Sequence, residues 1–489
     1  MTLIIVVILV ALAFEFINGF HDTANSIATV VSTKVLTPRQ AIMLAACTNL
    51  IGALIGHAVA KTVSSGLVDS QFVNSSVIIC ALFGGIVWNL LTWWLGLPSS
   101  STHAMVGGLC GATMANAQNI LGKINLDAII WTQEKLKDGK MVKEGVIHKV
   151  LIPMIGSPVI GLIGGFLVMT LLYALLRNAR PMWVNRFFGR AQIFSASYMG
   201  FAHGLADAQK TMGIITLALV AATTAGSFDK LPDFLHFLKM EKTPAAEQLL
   251  GTVIAGKQTQ ETAAALEAEG FKMRSGEFRE AFLSLAAEVH QSLGDEAGAT
   301  RTRSDVKKDY DANVAYENSR ILPKLPILGE MVAVKVTDWP KTLKSEGEKA
   351  AKDGKPPLKA MASKVRELSP DVPVWIKVVC ALTMAAGTSA GGWRIIKTMG
   401  HKMVKLQPVH GFAAETTAAT LLAVTGKFGM TVSTTHAITT AIMGVGATKR
   451  FSAIDMGIVR KILGAWVLTL PCAFGVAYVS MWLWLKIAG

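Results

Sequence analysis

Two short acidic stretches lie within otherwise apolar segments of this chain. The first reads GFHDTANS at 19–26, and the second reads FAHGLADAQK at 201–210. An isolated ionised aspartate in hydrocarbon costs roughly 3 kcal/mol or more, so Asp22 and Asp207 must face a polar cavity, hold a cation or stay protonated. Aspartate, asparagine, threonine and serine offer hard oxygen ligands, which suit Na⁺, H⁺ or a hard divalent cation. We therefore predict a cation or charge centre around these two aspartates.

A glycine precedes each aspartate, Gly19 in the first stretch and Gly204 in the second. Because glycine weakens a helix, we predict that both segments unwind there in mid-membrane, which is tolerated only where the freed backbone groups line a site. The alternative is a polar kink sealed against a neighbouring helix. His21 and His203 are either proton sites or hydrogen-bonded packing residues.

A second pair of motifs is rich in hydroxyl groups. PSSSTHAMVGG at 98–108 matches TVSTTHAITTA at 431–441 and pairs His103 with His436, two further candidate proton sites. Serine and threonine are strong N-cap residues, and a helix N-terminus carries free N–H groups and partial positive charge. Two such ends facing each other would bind a tetrahedral oxyanion. Alternatively, the hydroxyls only satisfy backbone carbonyls within a helix bundle.

The composition is that of a polytopic membrane protein. Of 489 residues, 52% are hydrophobic and 16% charged, and the mean hydropathy is +0.45. The net charge of +14 belongs to the apolar part, because Asp229–Pro370 balances 22 basic against 22 acidic residues. Basic connectors at lipid headgroups explain the excess, and nucleic-acid binding is not indicated. The five cysteines form no CxxC pair, so neither a disulfide framework nor a zinc site is indicated.

Ten apolar elements must position these motifs. Their approximate bounds are 2–36, 39–62, 75–97, 98–118, 150–176, 191–226, 373–392, 408–425, 430–447 and 456–485. We predict three regions: 1–228 holds a first repeat and the start of a second, 229–370 is a soluble, partly helical insertion, and 371–489 completes the second repeat.

The two sets of five elements resemble each other. The aspartate motif, the hydroxyl motif and an element with a central proline follow in the same order in both, with GSPVIG at 156–161 and TLPCAFG at 469–475. Such a duplication is typical of secondary transporters. If all five elements of each set cross the membrane, the second set is inverted; if 98–118 and 430–447 are re-entrant, the sets are parallel.

GFHDTANSIAT, GLPSSSTHA, FAHGLADAQKTMGI and VSTTHA together resemble the signatures of the inorganic phosphate transporter (PiT) family, over 1–226 and 373–489. The resemblance implies an all-α, inverted-repeat transporter with broken helices and helical hairpins that moves phosphate with Na⁺ or H⁺. It also implies that Asp22, Asn25 and Asp207 belong to the ion and substrate centre. At the phosphate it implies Ser100, Ser101, Thr102, Ser433, Thr434 and Thr435.

The second aspartate motif departs from the family. Many members carry Asn-Asp-x-x-Asn in both copies, whereas Ala206 and Lys210 flank Asp207 here, and His21 precedes Asp22. A lysine ammonium beside Asp207 can replace a bound Na⁺ by a tethered charge. We therefore predict H⁺ coupling, with transport of a neutral metal–phosphate complex as an added option. The alternative is that Lys210 snorkels to an interface.

Several other functions are alternatives to an H⁺-coupled phosphate importer. A Na⁺-coupled phosphate symporter or a sulfate permease would share the fold, and a phosphate sensor would signal through 229–370. An enzyme using Ser100, His103 and Asp22 is disfavoured, because a single active site does not explain a symmetric duplication. The expected partners are phosphate, the coupling cation and the lipid of the cytoplasmic (inner) membrane, with a homodimer as a further candidate. No cofactor is expected, although a divalent cation could accompany phosphate.

Overall fold

The computed structural model describes residues 2–55, 60, 67–137, 140–224, 228, 238, 372–427 and 430–488. Helices account for most of them. In chain order they are α1 (Thr2–Ser32), α2 (Pro38–Ile55), α3 (Ser75–Leu95), α4 (Ser101–Leu121), α5 (Ile152–Leu176), α6 (Pro181–Thr224), α7 (Val374–Ala390), α8 (Trp393–Lys397), α9 (Pro408–Lys427), α10 (Thr434–Ala447) and α11 (Met456–Ala488).

Short elements occupy several connections. They are the 3₁₀ turns Ser70–Phe72, Leu126–Ala128 and Phe451–Ala453, the π-helical turns Ile147–Leu151 and Thr398–Lys402, and a hairpin of β1 (Gln133–Lys137) and β2 (Lys140–Glu144). Each predicted apolar element contains one long helix, so the helical membrane fold is confirmed; the hairpin was not predicted. The predicted insertion at 229–370 lies almost entirely outside the described residues, and the three-region division stays a prediction.

Several helices have the length and surface of membrane spans. Within the described residues, five helices are long and apolar enough to cross a bilayer, and the bent pair Val374–Ala390 and Trp393–Lys402 would make a sixth. On α5, large apolar side chains such as Ile155, Leu167 and Leu171 are more than half exposed. Such a surface is costly in water but suits lipid hydrocarbon. The chain is therefore a multi-pass membrane protein.

The two hydroxyl-tipped helices pack in a reciprocal way. Helix α4 lies against α3 and α11, and α10 lies against α9 and α5, so each contacts the proline-containing last helix of the other half. Small residues allow these approaches. A Cβ at Gly165 of α5 would collide with the Ala441 carbonyl oxygen of α10, and one at Gly108 of α4 with the Ala81 carbonyl oxygen of α3. The two halves therefore share the same packing arrangement. That one half is inverted relative to the other stays a prediction.

The predicted unwinding at both aspartate motifs is wrong. Helix α1 continues through 19–26 and α6 through 201–210. The two glycines serve close packing instead: a Cβ at Gly19 would lie 2.6 Å from the Met384 carbonyl oxygen of α7, and one at Gly204 would collide with the Asn49 carbonyl oxygen of α2. Glycine both weakens a helix and admits a neighbouring backbone, and here the second property is used.

A helix break does occur, but between α7 and α8. Gly391 has a φ of +71°, which favours glycine, and Val374–Ala390 and Trp393–Lys402 are bent by 59° at this point. A Cβ at Gly392 would collide with the Phe20 carbonyl oxygen of α1. The irregular backbone is therefore buried against another helix, as expected at membrane depth.

Candidate functional site

The hydroxyl motifs cap α4 and α10 in the same way. Ser100 and Ser433 both have extended backbone, and the Oγ of each accepts a hydrogen bond of 3.2 Å from the backbone N–H three residues later, of His103 and of His436. Both helix N-termini are buried. Each cap satisfies one of the free backbone N–H groups in the first turn of its helix. The positive ends of both helix dipoles face the same interior region of the protein.

Asp22 of α1 connects the two halves. Its Oδ2 accepts from Ser101 Oγ at 2.7 Å, its Oδ1 accepts from Thr435 Oγ1 at 3.5 Å, and His21 Nδ1 lies 2.7 Å from Oδ1. Asn25, one turn later, donates from Nδ2 to Thr435 Oγ1 at 2.9 Å and to Thr434 Oγ1 at 3.2 Å. The first aspartate motif therefore reaches both hydroxyl-tipped helices.

Asp207 of α6 lies beside the same cluster. Its Oδ2 accepts from Thr434 Oγ1 at 3.0 Å, and His203 Nε2 lies 3.1 Å from the same oxygen. One ligand atom each of Asp22, His203 and Asp207 falls within 4.8 Å of the others, and all three side chains are buried. The two aspartates thus share one polar centre, which could hold a cation.

Lys210 completes this centre from α6. Its Nζ donates to Asp207 Oδ1 and to Thr102 Oγ1, and its side chain is 3% exposed. The alternative, that Lys210 snorkels to an interface, is therefore wrong. The buried Lys210 ammonium offsets the negative charge of the buried Asp207 carboxylate. Through Thr102 the same ammonium also contacts the first turn of α4.

His103 and His436 face each other where α4 and α10 meet. Their ring centroids are 4.9 Å apart, and the His436 ring lies 3.9 Å from that of Trp466. The ring nitrogens of His103 have no hydrogen-bond partner among the described residues. Since a buried imidazolium needs an acceptor, this packing favours neutral His103. His21 differs, because Nε2 also lies 3.1 Å from Thr92 Oγ1. A proton role for these histidines stays untested.

Comparison with known proteins identifies the family. Residues 18–477 match the phosphate transporter family (PHO4). The chain belongs to this family. A probable low-affinity inorganic phosphate transporter of Rhizobium meliloti is 31% identical over 472 residues, 96% of this chain and 93% of that protein. The low-affinity inorganic phosphate transporter PitB of Escherichia coli is 27% identical over 529 residues, covering 98% and 97%.

One solved structure supports the fold. It is that of a protein described as "The sodium-dependent phosphate transporter", with a TM-score of 0.53 and 19% identity over the whole of both chains. The phosphate transporter family and these relatives are transporters, so the enzyme alternative is not supported. The predicted PiT resemblance is confirmed, whereas the assigned roles of individual residues stay predictions.

Two buried acids in the interior of this phosphate transporter were not predicted as functional residues from the sequence. Glu415 of α9 is buried and accepts from Thr29 Oγ1, Ser195 Oγ and, at 3.2 Å, Gln192 Nε2. Glu15 of α1 is also buried. The sequence signal was the same for both, an isolated acid inside an apolar element, but no motif surrounds either one.

Proposed function

We propose that this protein imports inorganic phosphate across the cytoplasmic membrane by symport with protons. Membership of the phosphate transporter family supports the substrate. The observation that supports proton coupling is the position of Lys210 Nζ, which contacts both Asp207 and Thr102. An ammonium tethered to the protein takes the electrostatic place of a bound metal cation, so the ion that moves with phosphate can be a proton.

The phosphate site in this proposal lies between the tips of α4 and α10. Ser101, Thr102, Thr434 and Thr435 line it, with Ser100 and Ser433 holding the tips as caps. Hydroxyl groups, helix N-termini and the Lys210 ammonium all favour an anion. These hydroxyls bond to side chains of the same centre, and phosphate would exchange for those partners.

The same centre favours phosphate over sulfate. Monohydrogen phosphate carries an O–H donor that sulfate lacks, and Asp22 and Asp207 are acceptors beside the hydroxyl tips. A site with a buried acceptor discriminates strongly against a ligand that leaves it unpaired. Phosphate would therefore bind more tightly than sulfate of the same size and charge.

Sodium coupling is the second candidate, because Asp22, His203 and Asp207 offer ligand atoms within 4.8 Å of one another. Two features favour the proton. Na⁺ prefers oxygen ligands to imidazole, and the Lys210 ammonium already pairs with Asp207, so a second cation there meets repulsion. A neutral metal–phosphate complex would meet less repulsion than a free cation and is kept as a variant of proton coupling.

Uptake by the purified protein in liposomes tests this function. With an inward proton gradient in sodium-free buffer, we expect labelled phosphate to accumulate, unlabelled phosphate to compete, and sulfate to compete weakly. Dissipation of the gradient with a protonophore should abolish accumulation. Accumulation that requires a sodium gradient and ignores the proton gradient would establish the sodium alternative. Equal competition by sulfate would contradict the assigned substrate preference.

Lys210→Asn is expected to change the ion dependence of transport. Without the tethered ammonium, the negative charge of Asp207 is no longer offset by Lys210, and an added cation can take that place. Phosphate uptake in sodium-free buffer should therefore fall at least about tenfold, equivalent to about 1.4 kcal/mol, and added sodium should restore part of it. Lys405→Asn, at an exposed lysine, is the control and should behave as the wild type. Unchanged kinetics of Lys210→Asn across sodium concentration and pH would contradict the role of Lys210.

A further inference from the structure

Glu15 is a buried acid of α1 that the site described above does not use. It lies seven residues before Asp22, on the same helix face and about 10 Å along the helix axis. The side chain is 0% exposed. Its Oε2 accepts a hydrogen bond from Thr211 Oγ1, whereas its Oε1 has no hydrogen-bond partner among the described residues.

Glu15 differs from the buried Glu415 in its hydrogen-bond donors. Both carboxyl groups are fully buried. Glu415 accepts from three side-chain donors that reach both of its oxygens, whereas the polar neighbours of Glu15 are Thr211 and Asn18 and its Oε1 has no partner among the described residues. A buried carboxylate with an unpaired oxygen carries a large desolvation penalty, which a bound proton removes. The unpaired oxygen of Glu15 is therefore suited to binding and releasing a proton, whereas both oxygens of Glu415 already have donors.

Glu15 interacts electrostatically with the polar centre. Its donor Thr211 follows Lys210 directly on α6, and Glu15 lies within electrostatic range of both Asp207 and Lys210. From α7, the Cys380 thiol is the neighbouring titratable group. Helix α3, which also packs on α1, has Cys80 but no Asp, Glu, His, Lys or Arg in its sequence, and α2 has Cys47 and, at its exposed first turn, Arg39.

We propose that Glu15 is the carboxyl group that binds the transported proton. This proposal rests on the proton symport proposed above. Bound phosphate interacts with the Lys210 ammonium and adds negative charge near Glu15. This negative charge strengthens the binding of the proton to the Glu15 carboxylate. By reciprocity the proton strengthens phosphate binding by the same factor, so the two bind and leave together. The proton is taken from water on one side, forms the O–H bond of Glu15, and returns to water on the other side when that bond breaks.

Glu15→Gln tests the proposal, because glutamine resembles a permanently protonated glutamate. Exchange of labelled for unlabelled phosphate across liposomes needs no net proton movement and should continue. Accumulation driven by a proton gradient needs release of the proton and should fall at least about tenfold relative to exchange. Glu15→Asp keeps a carboxyl group, so we expect coupled accumulation with a displaced pH profile.

Thr211→Val provides a second, independent readout. The Thr211 hydroxyl donates to Glu15 and favours its charged form, so its removal should move the pH of half-maximal uptake upward. Glu415→Gln is the matched control at a buried carboxyl, and there exchange and accumulation should change together. Separation of the two activities in Glu415→Gln as well would overturn the specific assignment to Glu15.

Three further outcomes would contradict the proposal while leaving proton symport intact. One is normal proton-driven accumulation by Glu15→Gln. Another is equal loss of exchange and accumulation by folded Glu15→Gln, which indicates a structural role. The third, which decides the matter if Glu15→Gln does not fold, is an unchanged pH profile in both Glu15→Asp and Thr211→Val. Failure of the wild-type protein to respond to a proton gradient would instead refute the proposed function itself.

Discussion

Asp207→Asn should reduce phosphate uptake by at least about 100-fold, equivalent to about 2.8 kcal/mol. Asp207 is fully buried and contacts Lys210 and Thr434, with His203 Nε2 at 3.1 Å. The asparagine leaves the Lys210 ammonium buried without its carboxylate, and removal of one partner of a buried pair costs about 3–5 kcal/mol. Labelled phosphate uptake in liposomes, normalised to the amount of folded protein, measures the effect.

The double variant Asp207→Asn, Lys210→Gln separates stability from transport. Removal of both charges takes away the unpaired ammonium, so the amount of folded protein should recover relative to the single variant, while transport should not. The stability effects should therefore be strongly non-additive, as expected for residues in contact. Wild-type uptake by Asp207→Asn, or additive stability effects, would show that the buried pair does not have this role.

Gly204→Ala is expected to destabilise the folded protein strongly. The new Cβ would overlap the Asn49 carbonyl oxygen of α2, and a backbone atom cannot move aside without separation of α2 from α6. Overpacking of this kind costs about 1–3 kcal/mol, and more where the colliding atom belongs to the backbone. We expect a lower yield of monodisperse protein and a lower midpoint of thermal unfolding in detergent.

Gly189→Ala is the matched control on the same helix. A Cβ at Gly189 meets nothing within 4 Å, and alanine has the higher helix propensity, so this variant should be at least as stable as the wild type. Equal stability of Gly204→Ala and Gly189→Ala would show that α2 and α6 do not approach as closely as the structure indicates.

Much of the architecture could be predicted from local sequence. The apolar runs predicted the ten long helices because burial in lipid needs only a sufficient length of apolar residues. The caps of α4 and α10 were also predictable, since Ser100 and Ser433 each bond to an amide three residues away. The repeated order of motifs further predicted that Asp22 and Asp207 would meet, and their ligand atoms do lie within 4.8 Å.

The sequence by itself thus determined the helices, their capped ends and the residue types of the polar centre, because these depend on near neighbours. Only the tertiary structure decided that Gly19 and Gly204 admit a neighbouring backbone rather than unwind a helix. It also decided that Lys210 turns inward and that Thr211 is the donor to Glu15. The physical reason is that a glycine, a lysine or a lone buried acid is compatible with several local roles. Which role is realised depends on contacts with residues that are far away in the chain.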